Sequence, residues 1–297
     1  MCSSYSGGIM KNRDHKDSPK IGDLTYTSSR LTKSLSFFIT PDSKEKHFFL
    51  KNIGEGSFAK ARLYTGGLVI KEISDILGTA KDCKNEAIIS YSFFGKGGFL
   101  PGSPVHRISM PYIAGIPLGL VFAELAKDFN KNPHNSLKLM RGIFEAYYIL
   151  HQKNIFHNDY HFGNLLVDKN GKIWIIDFGN SVLLDNPELR SLSIEKETKS
   201  IGKNTIHMEF LKYLDSDTQN TLNKIKLSLG KDKALKDAIG EIDDLLDKLG
   251  CSDHSTNFLS DIVKEMPVMQ QILKDEERSQ EMHLKMQPKD SSSCSIM

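Results

Sequence analysis

The apolar positions change period partway along the chain. Residues 47–73 alternate as three short strands: HFFLKNIG, then Phe58–Tyr64, then LVIKEI at 68–73, rich in β-branched residues. Thr65-Gly66-Gly67 is a tight turn between the last two, its glycines suited to positive φ. Over 80–94 the period becomes helical, with Ala87, Ile88, Tyr91 and Phe94 on one face. A loop rich in Gly and Pro at 95–104 leads to a strand over Val105–Tyr112. AGIPL (114–118) reads as a break suited to a hinge between two lobes. Ser136–Gln152 then repeats the helical pattern through Leu137, Met140, Ile143, Phe144 and Tyr147. Two short strands, Asn164–Val167 and Ile173–Ile176, flank a DKNG turn. Helical patterns return over 187–250, where EIDDLLDKLG ends on a glycine placed as a C-cap. Strands first and helices afterwards predict an α+β chain of two lobes.

The domain reading follows: 1–45 a flexible polar leader with one edge strand near Ser34–Thr40, 46–113 the first lobe, 114–250 a reduced second lobe, and 251–297 a C-terminal helix and tail. Residues 275–297, charged and then rich in Ser, are expected to be mobile. The 297 residues allow one bilobal unit or two small domains, and 39% hydrophobic content supplies a core. A net charge of +2 argues against a nucleic-acid partner. Cys2, Cys83, Cys251 and Cys294 form no Cys-x-x-Cys pair, so neither a zinc site nor a disulfide framework is expected. Free thiols in a reducing, cytoplasmic compartment are the plain reading. No apolar run reaches membrane-spanning length, and the first twenty residues lack the apolar core of a secretory signal. The final CSIM fits C-a-a-X with farnesylation of Cys294. Membrane association depends on that modification, and one lipid alone binds reversibly.

The densest chemistry lies in LHQKNIFHNDYHFGNLLVDKNGKIWIIDFG, residues 150–179. His157, Asp159 and Asn164 fill the pattern H-x-D-x-x-x-x-N, and after a hairpin Asp177-Phe178-Gly179 reads D-F-G. In that order and spacing the segment resembles the catalytic core of the protein-kinase superfamily. The resemblance implies a bilobal kinase-like fold, ATP as substrate and Mg²⁺ as cofactor, with Mn²⁺ able to replace it. It assigns the catalytic base to Asp159 and metal binding to Asn164 and Asp177. The residue types suit the reaction. A phosphoryl group in flight carries dispersed negative charge, which oxygen-held metal ions and fixed positive charge neutralise. His157 reads as a scaffold residue beside the D-F-G turn.

Upstream, GEGSFAK (54–60) lies between two strands, and Gly54, Gly56 and Ser57 match a phosphate-covering loop. Its third glycine position holds Ala59, which stiffens the loop. Lys71 in VIKEI matches the family's phosphate-binding lysine, and Glu86, fifteen residues on, is its candidate helix partner. Glu72 should point to the opposite strand face. Met110 and Tyr112 in SMPYIAG resemble the hinge that holds adenine through the backbone. Asn158 stands where many protein kinases have Arg, which implies activity without loop phosphorylation. No Ala-Pro-Glu follows D-F-G, so the second lobe is trimmed, as in OspG-like effector kinases, the KEOPS kinase and RIO kinases. His161 adds D-x-H-x-x-N, as in aminoglycoside and choline phosphotransferases.

Three functions remain open at this point. The first is a compact Ser/Thr kinase of effector type acting on a protein hydroxyl, for which the resemblance also implies an activating partner. The second is a small-molecule phosphotransferase. The third is a kinase fold repurposed for AMPylation or for binding.

Overall fold

A computed structural model describes residues 45–286, apart from 56–58, 75, 77, 103 and 231–232, together with the backbone of two strands upstream. Gly56, Ser57 and Cys294 therefore lie outside the described residues. The upstream strands are β1 (Thr25–Thr27) and β2 (Phe37–Ile39). They continue into β3 (Lys46–Glu55), β4 (Ala59–Tyr64) and β5 (Leu68–Ser74). With β6 (Gly98–Leu100) and β7 (Val105–Pro111) they form one sheet in the order β1-β2-β3-β4-β5-β7-β6. All of its pairings are antiparallel. The leader thus holds two strands where one edge strand was expected. Each is three residues long, too short to show alternation in sequence.

Helix α1 (Ala80–Phe94) packs across this sheet against β7. Its start is written by a capping box: Thr79 Oγ1 accepts from the Asp82 amide, and Asp82 Oδ2 accepts from the Thr79 amide. Its end is Gly95 at φ 71°, a left-handed cap that glycine adopts without steric cost. Cys83, Ala87, Phe99 and Ile108 form the small core beneath it.

The expected hinge break holds instead a strand, β8 (Gly115–Pro117). Gly115 explains the difference: a Cβ there would lie 3.0 Å from the Val167 carbonyl, so its absence lets the chain pair closely with the next lobe. β8 pairs with β10 (Leu165–Asp168), which pairs in turn with β11 (Ile173–Ile175). Between them in sequence run α2 (Leu118–Lys131), α3 (His134–Gln152) and β9 (Ile155–Phe156). β12 (Val182–Leu183) pairs with β9.

The remaining helices are α4 (Pro187–Thr205), α5 (Met208–Leu211), α6 (Ser216–Ser228), α7 (Leu235–Lys248), α8 (Phe258–Glu265) and α9 (Pro267–Met286). They enclose a second, larger core around the fully buried α3 residues Met140, Ile143, Phe144 and Tyr147. The result is an α+β bilobal fold, a β-rich lobe above a helical one. Among the described residues no helix is long and apolar enough to cross a membrane.

α9 corrects the expectation of mobility from residue 275. It is helical to Met286 and held by tertiary contacts: Met269 and Ser279 are buried, and Asp275 pairs with Lys51. Its charge-rich sequence resembles a tail because most of its surface faces solvent.

Candidate active site

Lys71 lies on β5 and Glu86 on α1, and the packing of helix on sheet brings them together. Lys71 Nζ donates to Glu86 Oε1 at 2.7 Å and to Asp177 Oδ1 at 2.6 Å. One ammonium thus joins the sheet, the helix and the loop after β11. Glu72, the next residue along β5, faces the other way and pairs with Arg62 and Arg107.

The electrostatics of the triad follow from position. Burial opposes the charge on Lys71, but the carboxylates of Glu86 and Asp177 outweigh it and hold its pKa above the ordinary value. Burial also opposes the charge on Asp177, yet Lys71 and the Gly179 amide hold that carboxyl below the usual range. Glu86 is the most enclosed of the three, and burial pushes its carboxyl up despite Lys71. Gly179 sits against the cluster: a Cβ there would lie 3.4 Å from Asp177 Oδ1 and 3.5 Å from Glu86 Oε2.

The two motif loops are knitted together. The Ile176 amide donates to the Asn164 carbonyl at 3.0 Å, and His157 Nε2 donates to the Ile176 carbonyl at 2.9 Å. Asn180 Nδ2 donates to Asp159 Oδ2 at 3.2 Å. Phe178 is buried against Phe93, Phe94 and His157, which anchors the D-F-G turn beneath α1. Asn158 and Asp177 both take left-handed backbone, at φ 59° and 64°. Non-glycine residues hold that conformation where surrounding structure enforces it, commonly at functional sites.

The donor set suits a hard cation. Asn164 Nδ2 donates to the Asp159 carbonyl at 3.0 Å, which turns the amide so that Oδ1 is its remaining acceptor. Lys71 engages Oδ1 of Asp177, so Asp177 Oδ2 and Asn164 Oδ1 are the oxygens these residues would offer to such a cation.

The glycine loop and the hinge are less complete. Gly54 lies at an exposed, irregular point of the β3–β4 pairing, where an added Cβ would meet only Ala61 at 3.9 Å. Met110 pairs with Val69 in the β5–β7 ladder and packs on the small core. The Tyr112 amide donates to the Gly67 carbonyl at 2.8 Å, so that amide is not the backbone group Tyr112 offers to adenine. The turn after β4 takes that donor, and Ile113 is the next amide along the chain.

Sequence reasoning missed Glu197. On α4 it is buried, accepts the Asn158 amide on Oε1 at 2.8 Å and accepts from His151 Nε2 on Oε2 at 2.7 Å. It fixes the residue beside Asp159. Its setting, EKETKS, reads as a solvated charge run, and only the missing apolar stripe on that helix marks it as unusual.

Comparison with known proteins follows the same segments. Residues 107–200 match the family model of the protein kinase domain. A mitogen-activated protein kinase kinase of Aspergillus fumigatus is 25% identical over 205 residues, covering 60% of this chain and 40% of that protein. A probable serine/threonine-protein kinase of Dictyostelium discoideum is 29% identical over 154 residues, 46% of this chain and 16% of its own length. A mitogen-activated protein kinase kinase of Cytospora mali is 29% identical over 113 residues, 37% of this chain and 20% of that protein. The chain therefore spans less than half the length of each of these relatives.

Proposed function

We propose that this chain, whose fold and motifs are those of the protein-kinase-like superfamily, transfers the γ-phosphate of ATP to a serine or threonine hydroxyl of a protein. The observation that carries the reading is the ion triad. Lys71, Glu86 and Asp177 come from three separate segments and meet within hydrogen-bond distance, with Asp159 and Asn164 on the adjoining loop. Family match and relatives' names support the same class.

Each residue then has a part. Glu86 orients Lys71, whose ammonium binds the nucleotide's phosphates. Asp177 and Asn164 would hold Mg²⁺, which would supply charge neutralisation for the phosphoryl group in flight. Asp159 receives the acceptor hydroxyl, orients its oxygen for in-line attack and takes its proton. Asn180 holds the Asp159 carboxylate in place from the far side of the loop. Pre-positioning contributes most here, because little covalent chemistry falls to the protein.

Incubation of a cell lysate with γ-labelled ATP tests the reading. Wild type should label protein, and Asp159→Ala should reduce labelling about a hundredfold or more, the usual weight of a general base. Equal labelling by both would overturn it. Label entering only from the α-phosphate would instead assign nucleotidyl transfer.

A further inference from the structure

An aromatic cavity of about 390 Å³ opens beside the catalytic loop. Its floor is Leu125 and Phe129 of α2 with Phe210 of α5, all buried. Phe122, Phe162 and Tyr213 complete the walls, and these rings meet edge to face at centroid distances from 4.8 to 6.1 Å. Such contacts hold the walls in shape without an occupant. The rim is polar, with exposed His161, His207 and Glu209. A groove with an apolar floor and a polar rim is a form that binding sites commonly take.

The position of the cavity defines its occupant. Tyr160, His161 and Phe162 line it and directly follow Asp159 in the chain. His161 Nδ1 accepts the Gly163 amide, so the neutral ring carries its proton on Nε2, 3.9 Å from Asp159 Oδ2. One side chain thus borders both the cavity and the base. The nucleotide-binding lysine lies elsewhere, under the sheet on β5, whereas the cavity is built wholly from the helical lobe. Only Asn180–Asn186 connect the D-F-G turn to α4. Seven residues leave no loop there to form a separate acceptor platform.

We infer that this cavity takes a bulky apolar side chain of the acceptor protein, close in sequence to the phosphorylated hydroxyl. The inference rests on the protein-kinase reading above. The cavity borders the loop that carries Asp159, so the anchored side chain lies near the acceptor in sequence. Burial of one large apolar side chain supports discrimination of about tenfold or more against alanine.

The test uses the full chain, γ-labelled ATP and peptides with one central Ser or Thr, each flanking position fixed in turn. One flanking position should favour Phe, Tyr, Trp, Leu or Met about tenfold over Ala. Ala126→Trp, which fills the cavity from α2, should bring that preference to within about twofold of none. Tyr213→Ala, which widens it, should shift the preference toward Trp, and thermal melting shows which variants are folded. A flat preference in wild type overturns the inference, and so does a preference unchanged in both folded variants. Phosphorylation of small aromatic alcohols in place of peptides also overturns it. Loss of all Asp159-dependent protein labelling overturns the underlying kinase reading instead.

Discussion

Glu197 holds the catalytic loop by a charge that serves two donors at once, the Asn158 amide and His151. Removing it leaves a partly buried amide unpaired beside the base, and a hydrogen bond to a charged group is worth about 1.5–3 kcal/mol. Glu197→Ala should therefore lower stability by about 2–3 kcal/mol in a denaturant titration. It should also lower kcat about tenfold or more while KM for ATP moves little, because Lys71, the proposed phosphate-binding residue, is on the other lobe. An equal rise in KM would show that Glu197 acts on the whole cleft. Legibility divides along the same line. The adjacency of Asp159, Asn164 and Asp177 could be read because they stand in motifs of fixed spacing, and the structure sets those motifs on adjoining loops. Glu197 could not, because its function depends on a contact 39 residues distant in sequence.

At the scale of elements, α1 matters because it carries Glu86 to Lys71. Its register is set by the capping box at Thr79 and Asp82. Thr79→Ala removes one acceptor for the helix's first amides, a change worth about 1 kcal/mol. The expected result is a melting temperature lower by a few degrees, with ATP affinity reduced about two- to fivefold as Glu86 becomes less well placed. Thr79→Ser, which keeps the hydroxyl, should restore both. An affinity loss that Ser does not repair would place the effect outside the cap. The span of α1 was readable, since Ala80–Phe94 shows a helical period bounded by a capping residue and a glycine. A C-terminal helix was expected within 251–297, but its continuation past residue 275 was not, because most of the charged positions there face water and the sequence shows composition where the fold supplies partners. β8 was missed for a related reason: strand pairing rescues Gly-Ile-Pro, which has little strand character alone.

α9 ties the two lobes together. It packs on β3 of the sheet and on β8 at the hinge. Neighbouring carboxylates divide between the lobes: Asp275 pairs with Lys51 on β3, and Glu276 lies 3.8 Å from Lys169 in the turn after β10. Further along, His283 stacks on His47 with ring centroids 5.3 Å apart. The hinge feels the same helix, since burial pushes the Tyr112 hydroxyl up to about 12, with Asp275 and Glu276 adding to the shift. The opening angle of the cleft decides whether Lys71 can reach Asp177 across it, so a brace spanning both lobes bears on nucleotide binding. Asp275→Lys sets two cations side by side and should loosen the brace on its upper side. The pair is partly exposed, which limits its weight to about 1 kcal/mol. KM for ATP should then rise about three- to fivefold. The reversed pair, Lys51→Asp with Asp275→Lys, should recover most of the loss, because the attraction returns with its sign pattern exchanged. If the double variant binds ATP no better than Asp275→Lys alone, the helix constrains the lobes through its apolar contacts and the ion pair is incidental.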